Sequence, residues 1–311
     1  MVRVAVDLGG THARFAAVRG GRPVDPWTVH ADDAGSLVEL LRQGLARVDG
    51  RPTALALAIA APVGGATVTM TNRPWSFAPD ALRDALGLDT LLVLNDFEAV
   101  GWAVAALQDG DAATIGGARA PVAGAPKLVL GPGTGLGVSL VVPTATGAVV
   151  VATEGGHATL AAHDDTEAGA LDALRMDLPR VSAESVLCGP GLLRLHAALR
   201  AGARPYSSPN GLSAAAASGD DDALGTVRIF LRWLAAHAGD LALATGARGG
   251  VFLAGGVLGH LARWIHDDEF RAAFEAKAPM TAWLTDVPTS RLTLAEPGLV
   301  GAARALEATL V

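Results

Sequence analysis

The first residues with chemical potential are Asp7-Leu8-Gly9-Gly10-Thr11. They combine backbone N–H groups free of Cβ obstruction with one hydroxyl and one carboxylate, an inventory suited to phosphate oxygens and a hydrated Mg²⁺. An ordinary hairpin turn has the same composition, so this turn decides nothing by itself. Arg14 lies just beyond it, as a phosphate partner or a surface charge. A second turn, 131–137, reads GPGTGLG. No Gly-Lys pair followed by Ser or Thr exists for a Walker loop. The alternating glycines also lead into an apolar strand instead of opening a helix, which excludes a dinucleotide fingerprint. A tight turn between buried strands accounts for two glycines more readily than for four.

Asn95-Asp96 stands where the apolar run LLVL gives way to FEAVGWAVAAL. That places both polar residues at the carboxyl end of a strand, where α/β folds hold ligands. Asp96 there is a general base or simply the cap of the following helix. In Glu154-Gly155-Gly156-His157 the glycines let backbone approach a ligand, and Glu154 and His157 can hydrogen-bond hydroxyls. His157 is equally a structural histidine, and no Cys or His stands at metal-ligand spacing from it. Glu184 fits a solvated acid in a helix's first turn. Gly255-Gly256, after VFLA, admits a flat purine or makes a tight strand–helix turn.

These groups must be held by strands and helices. Residues 2–18 read as two strands joined at Gly9-Gly10, 36–48 as an amphipathic helix, 54–60 as a buried strand, and 79–86 as a helix with proline in its first turn. A strand over 91–94 and a helix from Asp96 follow. A second strand–glycine turn–strand unit spans 127–142, and its likeness to the first suggests a duplicated architecture. Further on, 182–187 and 192–199 read as helices broken by Gly189-Pro190-Gly191. Residues 222–244 form a long helix stopped by Gly246. The segment 202–219, rich in Ser, Pro, Asn and Ala, reads as a mobile surface loop.

Composition narrows the function. The 311 residues are 50% hydrophobic, enough to bury a large core and divide into two domains. A net charge of −7 argues against a nucleic-acid partner or an anionic-lipid surface. The single cysteine, Cys188, permits no intrachain disulfide, which points to a reducing compartment. No apolar stretch is long enough for a membrane helix. A cytoplasmic protein is expected.

The ordered strings VDLGGTHARFA, TNRPWSF, LNDFEAV, LGPGTGLGVSLV, TEGGH, AESVLCGPGL, GGVFLAGG and EPGLVGAARAL resemble the bacterial glucokinase family of the sugar kinase, Hsp70 and actin superfamily. The resemblance runs over nearly the whole chain. It implies an α/β fold of two domains, the actin-like ATPase architecture with duplicated ribonuclease H-like halves and a cleft. A small domain would comprise 1–106 completed by 295–311, and a large one 107–294. It further implies that Asn95, Asp96, Glu154, His157 and Glu184 surround the sugar, with Asp96 as the base. Asp7, Gly9, Gly10, Thr11, Gly133 and Thr134 would surround the ATP phosphates and Mg²⁺, the ion meeting Asp7 through water, and Gly255 and Gly256 would lie beside adenosine. The implied reaction phosphorylates the C6 hydroxyl of glucose or a related hexose, in a homodimer. The alternatives are a broader hexose kinase acting also on mannose, a kinase using polyphosphate in place of ATP, and a non-catalytic sugar sensor. One departure is His12, where relatives commonly carry Asn.

Overall fold

The computed structural model describes residues 2–71, 73–200, 202, 205–265 and 267–310. Asn72 of the TNRPWSF string therefore lies outside the described residues. The chain separates into two compact units, one of Met1–Asp109, Val150–Ala152 and Leu294–Val311, the other of Gly110–Val149 and Thr153–Thr293.

In the first unit β1 (Val2–Leu8), β2 (His12–Arg19), β3 (Arg22–His30) and β4 (Pro52–Ile59) lead to a short hairpin, β5 (Val68–Thr69) with β6 (Ser76–Phe77), and then to β7 (Thr90–Asn95). The main sheet has the order β3-β2-β1-β4-β7. β1 pairs antiparallel with β2 and parallel with β4, and β4 pairs parallel with β7. Side chains alternate across β1 as a two-residue period requires. Val4, Val6 and Leu8 join one core with Leu40 and Leu41 of α1 (Leu37–Leu45) and Leu82 of α2 (Pro79–Leu86). Ala5 faces the opposite core with Ala56, Ala58, Ala99 of α3 (Asp96–Ala105), and Leu299 and Leu306 of the C-terminal helix Pro297–Leu310. Small residues on this second face let the two helices pack closely. At Gly301 an added Cβ would collide with the Ala99 carbonyl.

The second sheet comprises β8 (Ala112–Ile115), β9 (Lys127–Pro132), β10 (Leu136–Thr144), β11 (Gly147–Thr153), β12 (Val251–Leu253) and β13 (Thr289–Leu292), in the order β11-β10-β9-β12-β13-β8, all of it in the second unit except Val150–Ala152 of β11. β9 is antiparallel to β10 and parallel to β12, which is parallel to β13. Apart from the added edge strand β8, this repeats the order of the first sheet. In both, the strand entering the glycine turn lies at the centre.

The helices of this unit are α4 (Asp165–Arg175), α5 (Ala183–Val186), α6 (Gly189–Leu199), α7 (Pro209–Ala217), α8 (Asp221–Thr245), α9 (Gly256–Leu261), α10 (Asp267–Glu275) and α11 (Thr281–Thr285). Trp233 and Phe230 of α8 and Phe274 of α10 are fully buried in its core with Leu128 and Leu130 of β9. α8 ends on Gly246, whose left-handed φ of 64° suits glycine.

Two sequence expectations are corrected. Gly189-Pro190-Gly191 does not break a helix but forms the first turn of α6, where proline loses no needed hydrogen bond; Cys188 Sγ caps it by accepting from Gly191 N–H at 3.3 Å. Nor is 202–219 a loop throughout. Ser208 caps α7, and Leu212 is fully buried in the core. Residues 203 and 204 of that segment lie outside the described residues.

Candidate active site

The first glycine turn joins β1 to β2. Gly9 N–H donates to His12 O at 3.0 Å and Ala31 N–H to Thr11 O at 2.8 Å, while Gly10 and Thr11 are exposed. Asp7 stands in β1, not in the turn, opposite Arg14 of β2. Its carboxylate lies 3.7 Å from Arg14 Nη1 and against Gly298, where a Cβ would come within 2.9 Å of Asp7 Cγ. Burial pushes the Asp7 carboxyl above its ordinary value; the Arg14 charge opposes this and Glu296 adds to it. Arg14 is held between the two acids, with Nε 3.3 Å from Glu296.

At the end of β7 the adjacent polar residues divide two tasks. Asn95 Oδ1 accepts from Phe97 and Glu98 N–H at 2.9 and 3.2 Å, and Glu98 reaches back to Asn95 N–H at 3.4 Å, a reciprocal capping box. Asn95 Nδ2 donates to Ala61 O at 3.1 Å. Asp96 is thus the first helical residue, not the cap, although its Oδ1 also accepts from Phe97 N–H at 2.9 Å. Partial burial raises the Glu98 carboxyl above its ordinary value.

The structure brings Glu154, His157 and Glu184 together in the second unit. His157 Nε2 lies 3.8 Å from Glu154 and 3.7 Å from Glu184, and the three side chains keep 58%, 64% and 34% of their surface exposed for His157, Glu154 and Glu184. Glu184 Oε2 accepts from Leu136 N–H at 2.8 Å, so the acid is braced on the second glycine turn.

That contact changes the meaning of the alternating glycines. Gly135 leaves room for the Glu184 carboxylate and Gly131 for the Ala254 carbonyl. A Cβ at Gly133 would meet nothing within 4 Å. The Gly133 N–H is already spent on Gly135 O at 2.8 Å, and its carbonyl accepts from Gly189 N–H at 2.9 Å. Gly156 abuts the Leu136 carbonyl, so this glycine serves packing of a short 3-10 turn on β10, not ligand approach. Gly255, at φ 98°, sits against the Pro132 carbonyl, and Gly256 opens α9 with free space around it.

Sequence reasoning overlooked Arg73. Its Nε and Nη2 donate to Gly10 O at 2.9 and 2.7 Å, and its Cζ lies 4.9 Å over the Trp75 ring. No spacing rule links residue 73 to residue 10, and the TNRPWSF string entered only as part of the family resemblance. At the departure position, the His12 ring meets His30 edge-on at 4.7 Å.

Among the described residues no group of three or more His, Cys, Asp or Glu could hold a metal ion. A nucleotide-borne Mg²⁺ asks less of the protein, because phosphates and water supply most of its six ligands. Asp7 suits that role: it is a carboxylate whose burial outweighs the effect of its Arg14 partner.

A family model described as Glucokinase matches residues 4–309. The chain belongs to the glucokinase family. It is 40% identical over 311 residues to a glucokinase of Paramagnetospirillum magneticum, covering 97% of this chain and 96% of the relative. It is 42% identical over 307 residues to one from Chromobacterium violaceum, covering 97% and 88%. Among solved structures, the crystal structure of a glucokinase from an Antarctic psychrotroph superposes with a TM-score of 0.86 at 33% identity, over 99% of each chain. Membership in the glucokinase family fits the ordered strings and the two α/β sheets.

Proposed function

We propose that this chain transfers the γ-phosphate of ATP to the C6 hydroxyl of glucose, giving glucose 6-phosphate and ADP, with Asp96 as the general base. The observation that carries the base assignment is the division of labour at the start of α3. Asn95 provides the cap, so the neighbouring carboxylate is not required for it. The support for the reaction is the match to glucokinases along nearly the whole chain.

In the transfer, the bond between the sugar O6 and Pγ forms as the bond from Pγ to the β,γ-bridging oxygen breaks. The O6 proton passes to the Asp96 carboxylate. A loose transition state needs little covalent help, so alignment and charge neutralisation supply most of the acceleration. Glu154, His157 and Glu184 would hold the remaining sugar hydroxyls. Asn95 would add the one amide hydrogen not given to Ala61. The turns that carry Gly9, Gly10, Thr11, Gly133 and Thr134 would surround the phosphates, with Asp7 facing their Mg²⁺ and Gly255 and Gly256 beside adenosine. Mg²⁺, when bound, neutralises phosphate charge; Asp7 would hold it through water.

We read the two like-ordered sheets as the duplicated ribonuclease H-like halves of an actin-like fold, in small and large domains, acting as a cytoplasmic homodimer. No described helix is long and apolar enough to cross a membrane.

ADP release measured with glucose, mannose, fructose and N-acetylglucosamine in turn tests the reading. Glucose should give the highest kcat/KM. Release of ADP with none of the four would leave a sugar sensor in its place.

A further inference from the structure

Arg73 is bound more fully than a surface arginine requires. Besides its two bonds to Gly10 O, Nη1 donates to Ala31 O at 3.3 Å and Nη2 to Asp32 Oδ1, and only 13% of the side chain is exposed. The hydrogen bond from Arg73 in turn holds the exposed Asp32 carboxyl below its ordinary value. The Arg73 Cζ, 4.9 Å over the Trp75 ring, adds a cation–π contact. The whole cluster lies within the first unit.

The carbonyl under this fork belongs to the Gly10–Thr11 peptide. A trans peptide is planar, with its C=O and N–H pointing in opposite directions. Anchoring Gly10 O on Arg73 therefore aims the Thr11 N–H away from the guanidinium. Among the described residues nothing accepts a hydrogen bond from that N–H. The next peptide is tied as well, since Thr11 O accepts from Ala31 N–H and Ala31 O accepts from Arg73. Two adjacent glycines would otherwise leave the turn free to adopt many conformations. A cationic donor on the carbonyl also polarises the amide, strengthening its N–H as a donor.

We infer that Arg73 is a positioning residue that presents the Thr11 N–H to the phosphates of ATP. This rests on the reading of the Asp7–Thr11 turn as a phosphate site. It assigns to the RPW segment a task on the nucleotide side, separate from the sugar-holding groups.

The test compares the wild type with Arg73→Ala, Arg73→Lys and Thr11→Ala, which loses the hydroxyl at the same turn. Kinetics would give kcat and KM for ATP and glucose, and calorimetry would give Kd for ADP and adenosine. Loss of charge-assisted bonds to the turn should raise KM for ATP and Kd for ADP about tenfold in Arg73→Ala. Adenosine, which lacks phosphate, and glucose should stay within about twofold, because neither uses the turn. Arg73→Lys, with one donor centre in place of a fork, should recover part of the loss. If ATP binding weakens in Thr11→Ala but not in Arg73→Ala, the positioning role is wrong while the phosphate turn stands. If neither variant changes ATP or ADP binding, Arg73 does not position the turn and the inference falls, whereas Thr11→Pro, which removes the N–H itself, then decides whether the turn is the phosphate site. Parallel weakening of ATP, adenosine and glucose would mark Arg73 as a general structural support and overturn the inference.

Discussion

The Glu184 carboxylate accepts a hydrogen bond from the Leu136 N–H at 2.8 Å, across 48 residues of sequence. The bond ties an acid from the first turn of α5 to the start of β10. It also explains Gly135, because a Cβ there would press on Glu184 Oε2. The brace sets where the acid points, so perturbing it should register in sugar binding before it registers in stability.

Gly135→Ala tests this. The obstructed atom is the far end of a flexible side chain, which can swing away at little cost. Thermal denaturation should shift by no more than about 3 °C, an effect under about 1 kcal/mol. The displaced carboxylate should raise KM for glucose about fivefold or more, as loss of a hydrogen bond to a charged group would. An unchanged glucose KM would remove Glu184 from the sugar site.

Asp7 sets stability against function. Its folded carboxyl is raised by burial, so below the ordinary value of 3.8 the group is protonated in both states. As pH rises through the window above 3.8, the unfolded chain ionises first, and the folded state pays a lasting penalty at neutral pH. Asp7→Asn should therefore melt at or above the wild-type temperature at pH 7 without nucleotide, while losing nearly all kinase activity. A lower melting temperature would show that the ionised carboxylate is structural.

His237 predicts an acid-sensitive fold. It is buried in α8, its Nε2 has no partner among the described residues, and burial lowers its pKa below the ordinary 6.5; Asp240 and a Gly155 backbone bond oppose that shift, and Lys277 reinforces it. Below pH 6.5 the unfolded chain takes up the proton more readily than the folded one. Stability is thus complete above 6.5 and falls as pH drops toward the folded value. Melting curves from pH 8 to 5.5 should show a smaller acid loss in His237→Gln than in the wild type. Equal slopes would contradict the assignment.

Much of this architecture is legible in the sequence because local signals agree with tertiary demand. Alternating apolar residues and a glycine pair mark the β1–β2 hairpin, Pro79 opens α2, and Gly246 stops α8. Where signals conflict, tertiary context decides. Asn95 and Asp96 are both good caps, and only the structure gives the cap to Asn95. Cys188 is a weak cap by composition, so the start of α6 is hidden, and the Ser208-Pro209 start of α7 is masked by a loop-like composition. Arg73 on Gly10 and Glu184 on Leu136 are long-range contacts that no periodicity encodes.

The central claim is that Asp96 removes the sugar proton, and the turnover of Asp96→Ala with saturating ATP and glucose tests it most directly, alongside calorimetric glucose binding. Loss of a positioned general base should lower kcat by about 100-fold or more, with glucose still bound within about fivefold of the wild-type Kd. A variant that binds glucose normally and turns over at a near-wild-type kcat would contradict the account.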